Sequence, residues 1–171
     1  EGANEYQIEE SKKAITKMEI ILGDNDRLQA IAEDFVSHYE TRVSEGSSVE
    51  GKAMFVCANR MIAYNLYKKI IALRPQWAEI PSENIVFAPN YEISKVAEST
   101  VSYGNAPIPI EKIKLVMTRN KDDEAELYNL LGGDEERKKL DVQFKNPKSN
   151  FKIAIVVDMW LTGFDVPSMA T

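Results

Sequence analysis

The sequence is poor in the residues that form thiol or metal sites. Its 171 residues include one cysteine and one histidine. Cys57 has no partner for an internal disulfide, and its place in the apolar run that starts at Ala53 predicts a small buried side chain rather than a nucleophile. His38 falls in a helical pattern, which favours a structural or surface role. We therefore expect no metal site built from cysteine and histidine.

Long apolar runs and an excess of basic residues are also missing. No stretch approaches the roughly 18 consecutive apolar residues of a membrane-spanning helix, so we expect a cytoplasmic protein without membrane contact. The 27 acidic and 21 basic side chains give a formal net charge of -6. This balance argues against a protein that coats nucleic acid without sequence preference, and any DNA contact must be local.

The glycine motifs that bind nucleotides are absent as well. The chain contains neither the phosphate loop Gly-x-x-x-x-Gly-Lys-Ser/Thr nor the dinucleotide fingerprint Gly-x-Gly-x-x-Gly. Without a phosphate loop, the backbone cannot surround a triphosphate and no lysine is placed to neutralise it. The sequence therefore excludes an NTPase that works by itself.

The patterns that are present predict an α/β protein. Apolar residues recur at helical spacing over residues 6–22 and 28–43, which indicates an N-terminal helical segment, residues 1–48. Short β-rich runs then alternate with helical stretches, which is typical of a mainly parallel sheet in a second unit, residues 49–171. We interpret residues 89–111 as a surface excursion. The predicted strands are residues 53–57, 85–88, 113–117 and 153–157.

Three loops follow predicted strands and are the candidate binding loops, because parallel sheets bind ligands at the carboxyl ends of their strands. They are residues 58–60, 118–121 and 158–167. In the third loop, Thr162 can donate to a phosphate and Asp165 can accept from ribose hydroxyls. The residues alone leave an alternative, in which Asp165 caps a turn while Trp160 and Phe164 fill gaps in the core.

The third loop carries a family resemblance. Its pattern Asp158-x-x-x-Thr162-Gly163-Phe164-Asp165-Val166-Pro167 resembles motif V of superfamily two helicases, and the variant Asp-Met-Trp-Leu-Thr-Gly-Phe-Asp resembles the motor-and-nuclease subunits of type I restriction enzymes. Residues 52–60 resemble motif IV, and residues 137–145 are similar to the arginine-bearing helix that precedes motif V. The order and spacing agree from residue 52 to residue 167.

The resemblance implies the second RecA-like domain, a three-layer α/β fold, of an ATP-hydrolysing translocase on double-stranded DNA within a type I site-specific deoxyribonuclease. It implies that the first RecA-like domain of the same protein holds the phosphate loop and Mg²⁺, and that methyltransferase and specificity subunits are partners. We expect the given sequence to be truncated at its C-terminus. By this analogy Gly163 and Asp165 face ATP, and the DNA backbone is contacted by Asn59, Arg60, Thr118, Arg137 and Thr162.

Other interpretations stay open at this point. Arg60 and Arg137 are equally compatible with solvated helix faces, and Thr118 with a helix cap ahead of the acidic residues 122–124. The whole chain is compatible with another superfamily two DNA or RNA helicase, or with a RecA-like scaffold that has lost its motor role.

We expect the chain by itself to show no ATPase activity and to bind ATP no more tightly than millimolar. The phosphate loop is absent, and the arginine motif that completes the transition-state clamp would lie beyond Thr171. Two charge-assisted hydrogen bonds at about 1.5 to 3 kcal/mol each fall short of the roughly 8 kcal/mol of micromolar affinity. Calorimetric titration with ATP checks this, and a micromolar dissociation constant would contradict it.

Overall fold

The computed structural model describes residues 5–46, 51–81 and 109–157. Three of the four predicted strands lie in these ranges and are confirmed, whereas the strand predicted at residues 85–88 and most of the excursion at residues 89–111 lie outside them. Both predicted N-terminal helices are also present. In chain order the elements are α1 (Glu5–Leu22), α2 (Asn25–Ser44), β1 (Ala53–Val56), α3 (Arg60–Leu73), a 3-10 turn (Pro75–Ala78), β2 (Ile113–Val116), α4 (Ala125–Leu131), α5 (Asp134–Lys145) and β3 (Ile153–Val156).

The three described strands form one parallel sheet in the order β1-β3-β2. Their register aligns Val56 with Val156 and Val156 with Val116, so all three strands end at the same edge. Every residue of β3 is buried because the strand is covered on both edges and both faces. The predicted parallel α/β architecture is confirmed for the described residues and is compatible with a RecA-like fold.

Side chains that alternate along β3 supply two separate cores. Ile153 and Ile155 pack on one face with residues of α2, α3 and α4. Ala154 and Val156 pack on the other face with Phe144 of α5. Successive side chains of a strand point to opposite faces of the sheet. The described elements therefore form three layers, in the order helix, sheet and helix.

Helix α2 is an integral part of the first core. Its side chains Leu28, Ala32, Val36 and Tyr39 are almost fully buried. The Tyr39 ring meets the Trp77 ring edge to face, at 5.4 Å between centroids. The helix begins at a cap, because the Asp24 carboxylate accepts from the Arg27 backbone amide at 2.9 Å. The helical segment predicted to precede the α/β unit thus contributes one helix to its core.

Lys52, which precedes β1, has an unusual buried position. Its side chain is fully enclosed, and its ammonium group donates to the backbone carbonyls of Phe144 and, at 3.0 Å, Asn146. These carbonyls lie at the C-terminal end of α5, where unpaired oxygens and the helix dipole favour a cation. Lys52 therefore joins the start of β1 to the end of α5.

Replacing Lys52 by methionine should lower the free energy of unfolding by about 2 kcal/mol, because the carbonyls at the end of α5 lose a charged donor in a place that water cannot reach. Urea denaturation measures the change. Lys148→Met is the matched control, since Lys148 is exposed, and it should change stability by no more than about 0.5 kcal/mol. Equal losses in the two variants would contradict the capping role of Lys52.

Candidate functional site

The candidate site lies at the carboxyl edge of the sheet. There the chain leaves β1 toward Asn59 and leaves β2 toward Thr118, on either side of the central strand β3. Val157 is the last described residue after β3. The predicted ATP-binding residues Gly163 and Asp165, and the predicted DNA contact Thr162, lie outside the described residues.

Asn59 begins helix α3. Its backbone is extended, and its side-chain oxygen accepts a hydrogen bond from the Ile62 backbone amide at 2.9 Å. This is the preferred use of asparagine at a helix start. The side-chain amide nitrogen makes no hydrogen bond within the described part of the chain. Asn59 therefore has a structural role and keeps two donor hydrogens for a ligand.

Arg60 connects the loops that follow β1 and β2. One terminal nitrogen donates to both carboxylate oxygens of Asp123, at 2.6 and 2.5 Å, and the other donates to the Thr118 backbone carbonyl at 2.5 Å. The Arg60 side chain is 28% exposed and that of Asp123 only 7%. The guanidinium thus joins the two loops while part of the side chain stays exposed, and its predicted contact with the DNA backbone stays a prediction.

Asp123 is the acidic centre of this arrangement. It also accepts from the Asn120 backbone amide at 2.7 Å. Burial disfavours its charged form, but the Asn120 amide and the Arg60 guanidinium outweigh burial and hold the pKa of Asp123 below its ordinary value. The carboxylate therefore stays ionised and fixes the loop after β2 against the start of α3.

Thr118 and Arg137 have different surroundings. The Thr118 side chain is exposed beside the network. Helix α4 begins at Ala125 with Glu124 at its cap position, so the interpretation of Thr118 as a helix cap is wrong. Arg137 lies in the first turn of α5 and pairs with Asp134 at 3.0 Å. The structure thus brings Asn59, Arg60 and Thr118 together, and Arg137 makes no contact with them.

Arg119 and Asp123 are site residues that the sequence analysis did not single out. The guanidinium carbon of Arg119 lies 4.4 Å from the centre of the Tyr128 ring. The loop 118–121 contained the arginine, but its stacking partner belongs to α4, a short helix that was not predicted. Asp123 stood among three neighbouring carboxylates, and nothing in the sequence distinguished it from the other two.

Cys57 and His38 occupy the kinds of position that the sequence analysis expected. Cys57 is buried, and burial raises the pKa of its thiol to about 11, which opposes a role as a nucleophile. His38 is exposed on α2. Among the described residues, no group of three or more acidic, histidine or cysteine side chains is arranged to hold a metal ion. No helix in the described ranges has the length and apolar character needed to cross a membrane.

The Asp123→Asn substitution should lower the free energy of unfolding at pH 7 by about 1.5 to 3 kcal/mol, because Arg60 loses its charged partner. Because the pKa of Asp123 is lowered in the folded protein, its ionised form stabilises the fold at any pH above the ordinary carboxyl pKa of about 3.9. This stabilisation is lost as the pH falls from the ordinary pKa through the lowered one. Urea denaturation at pH 7 and pH 3 should therefore show the difference from wild type shrinking in acid. Asp122→Asn is the control, because Asp122 is exposed and its replacement should change stability little at either pH. A loss of stability in Asp123→Asn that is the same at pH 7 and pH 3 would contradict the ion pair between Asp123 and Arg60.

Comparison with known proteins relates the chain to one family. It is 35% identical over 163 residues to the type I restriction enzyme HindI endonuclease subunit of Haemophilus influenzae, across 95% of the chain. It is 32% identical over 171 residues to a putative type I restriction enzyme MjaIXP endonuclease subunit of Methanocaldococcus jannaschii, across 99% of the chain. No protein-family model and no solved structure matches it. The chain spans 13% of the length of each relative. It therefore belongs to the family of type I restriction enzyme endonuclease subunits, and it corresponds to a short segment of them.

Proposed function

We propose that the chain forms the second RecA-like domain of the ATP-driven DNA translocase in a type I restriction endonuclease subunit. The observation that carries this proposal is the position of the motif Asp158–Pro167 in the chain. It directly follows the central strand of a parallel sheet, and the loops after the two flanking strands carry Asn59 and Thr118. Such an edge is where open parallel sheets bind ligands.

In this proposal, ATP is shared between two domains. Gly163 allows close approach to the nucleotide, and Asp165 accepts hydrogen bonds from it. The phosphate loop and the groups that hold Mg²⁺ come from the first RecA-like domain, because this chain has no phosphate loop and the described residues include no acidic cluster for a metal. The present domain closes over a nucleotide that its neighbour holds.

DNA contacts in this proposal use neutral donors as well as cations. The Asn59 amide, the exposed Thr118 hydroxyl and the Thr162 hydroxyl contact backbone phosphates, and Arg137 adds a cation from the first turn of α5. Because Arg60 is bound to Asp123 and Thr118, we assign it to holding the two loops together beneath these donors. Polar side chains and helix N-termini can hold phosphates on a protein whose net charge is negative.

The wider assembly follows from the family. Both relatives are named as endonuclease subunits of type I restriction enzymes. We propose that the complete protein works in the cytoplasm with methyltransferase and specificity subunits on double-stranded DNA. In this assembly, the segment described here supplies movement along DNA, and cleavage belongs to another part of the subunit.

Asp165→Ala and Thr162→Ala, made in the full-length subunit, should each reduce ATP-driven translocation about 10- to 100-fold, the effect of one lost charge-assisted hydrogen bond. Displacement of a DNA triplex by the assembled enzyme measures translocation. The control is Asp34→Ala, an exposed carboxylate of α2, which should leave the rate unchanged. A full rate in both motif variants would show a scaffold in place of a motor and would refute the proposal.

A further inference from the structure

Arg119 is a cation at the candidate site that has no counterion among the described residues. It follows Thr118 in the loop after β2, and its guanidinium carbon lies 4.4 Å from the centre of the Tyr128 ring. Within residues 5–46, 51–81 and 109–157 the guanidinium donates no hydrogen bond and forms no ion pair. Its Nε atom is enclosed and has no hydrogen-bond partner. The two terminal nitrogens are not enclosed in this way.

The nearby described carboxylates are either already bound to other groups or turned to solvent. Asp123, a few residues further along the same loop, is occupied by Arg60 and the Asn120 amide. The neighbouring carboxylates Asp122 and Glu124 are exposed and do not pair with Arg119. The Tyr128 ring supplies a cation–π contact and holds the guanidinium plane in one orientation. An arginine stays charged at all ordinary pH values, so a fixed positive group is available at this edge.

We propose that Arg119, oriented by Tyr128, binds a phosphate of the DNA backbone. This inference rests on the proposed function and adds a residue to it. The guanidinium presents a planar set of donors that matches phosphate oxygens, and the exposed Thr118 hydroxyl lies beside it in sequence. We favour DNA over the nucleotide because β2 flanks the central strand on one side, whereas the proposed ATP contacts Gly163 and Asp165 follow the central strand itself.

The salt dependence of DNA binding tests this proposal. Fluorescence anisotropy of the full-length subunit with labelled double-stranded DNA gives the slope of the logarithm of the binding constant against the logarithm of salt concentration. Each phosphate contact contributes about 0.9 to this slope. Arg119→Ala should therefore reduce the magnitude of this slope by about 0.9. Raising the salt from 50 to 200 mM should then lower the DNA affinity of the variant by a factor about 3.5 times smaller than for the wild type.

Three further variants serve as controls. Lys148→Ala removes an equal charge from the loop that leads into β3, at the opposite edge of the sheet, and should leave the slope unchanged. Arg119→Lys keeps the charge and should retain the slope, which separates a phosphate contact from damage to the fold. Tyr128→Phe should bind like the wild type, whereas Tyr128→Leu should bind more weakly because the arginine loses the ring that orients it.

The outcomes separate this inference from the proposed function. A wild-type subunit that binds DNA but does not displace a triplex refutes the motor, and the slopes still decide whether Arg119 contacts phosphate. An unchanged slope in Arg119→Ala, or an equal loss in Lys148→Ala, overturns the role of Arg119. If Arg119→Ala raises the Michaelis constant for ATP and leaves the salt slope of DNA binding unchanged, the arginine contacts the nucleotide and the proposed DNA contact is wrong.

Discussion

Parallel pairing of β1 and β2 with the two edges of β3 is the constraint on which the rest of the described structure depends. Because the three strands are aligned residue by residue, their carboxyl ends form one line, and the polar residues that follow β1 and β2 meet. A shift of one residue along β3 would exchange Ile155 and Val156 between the two cores, which differ in size and in the helices that cover them. Burial on both faces thus fixes the register, and the register places the site.

The Arg60–Asp123 ion pair holds the start of α3 against the loop after β2 at this edge. Parallel strands alone would bring two loops near each other. One Arg60 nitrogen donates to both Asp123 oxygens and the other donates to the Thr118 carbonyl, and these bonds fix the distance between the loops. Asn59 at the start of α3 and Thr118 after β2 are thereby held at one edge of the sheet, where the Asn59 amide nitrogen and the Thr118 hydroxyl make no hydrogen bond to the described residues. The family resemblance suggested Arg60 as a DNA contact, and in the structure Arg60 joins the loops that follow β1 and β2.

The described fold was largely predictable, and the site only in part. Strand 153–157 stood out because a short, uninterrupted apolar run rich in β-branched residues is typical of a strand buried between two layers. Helix α4 was missed because seven residues with only Leu127 and Leu131 buried give too short a pattern. The Arg60–Asp123 and Lys52–Phe144 contacts join residues 63 and 92 positions apart, and no local pattern encodes such pairs. Asn59 and Thr118 were identified because they directly follow strands.

We propose that the segment from Asp158 to Pro167 lines one wall of a cleft between two domains, beside Asn59 and Thr118, and contacts a nucleotide that the other wall mainly holds. A crystal structure of the full-length subunit with an ATP analogue tests this most directly. We expect the Asp165 carboxylate to lie within hydrogen-bond distance, about 3 Å, of the nucleotide. A structure in which Asp165 is packed inside the domain, away from the edge that carries Asn59 and Thr118, would contradict it.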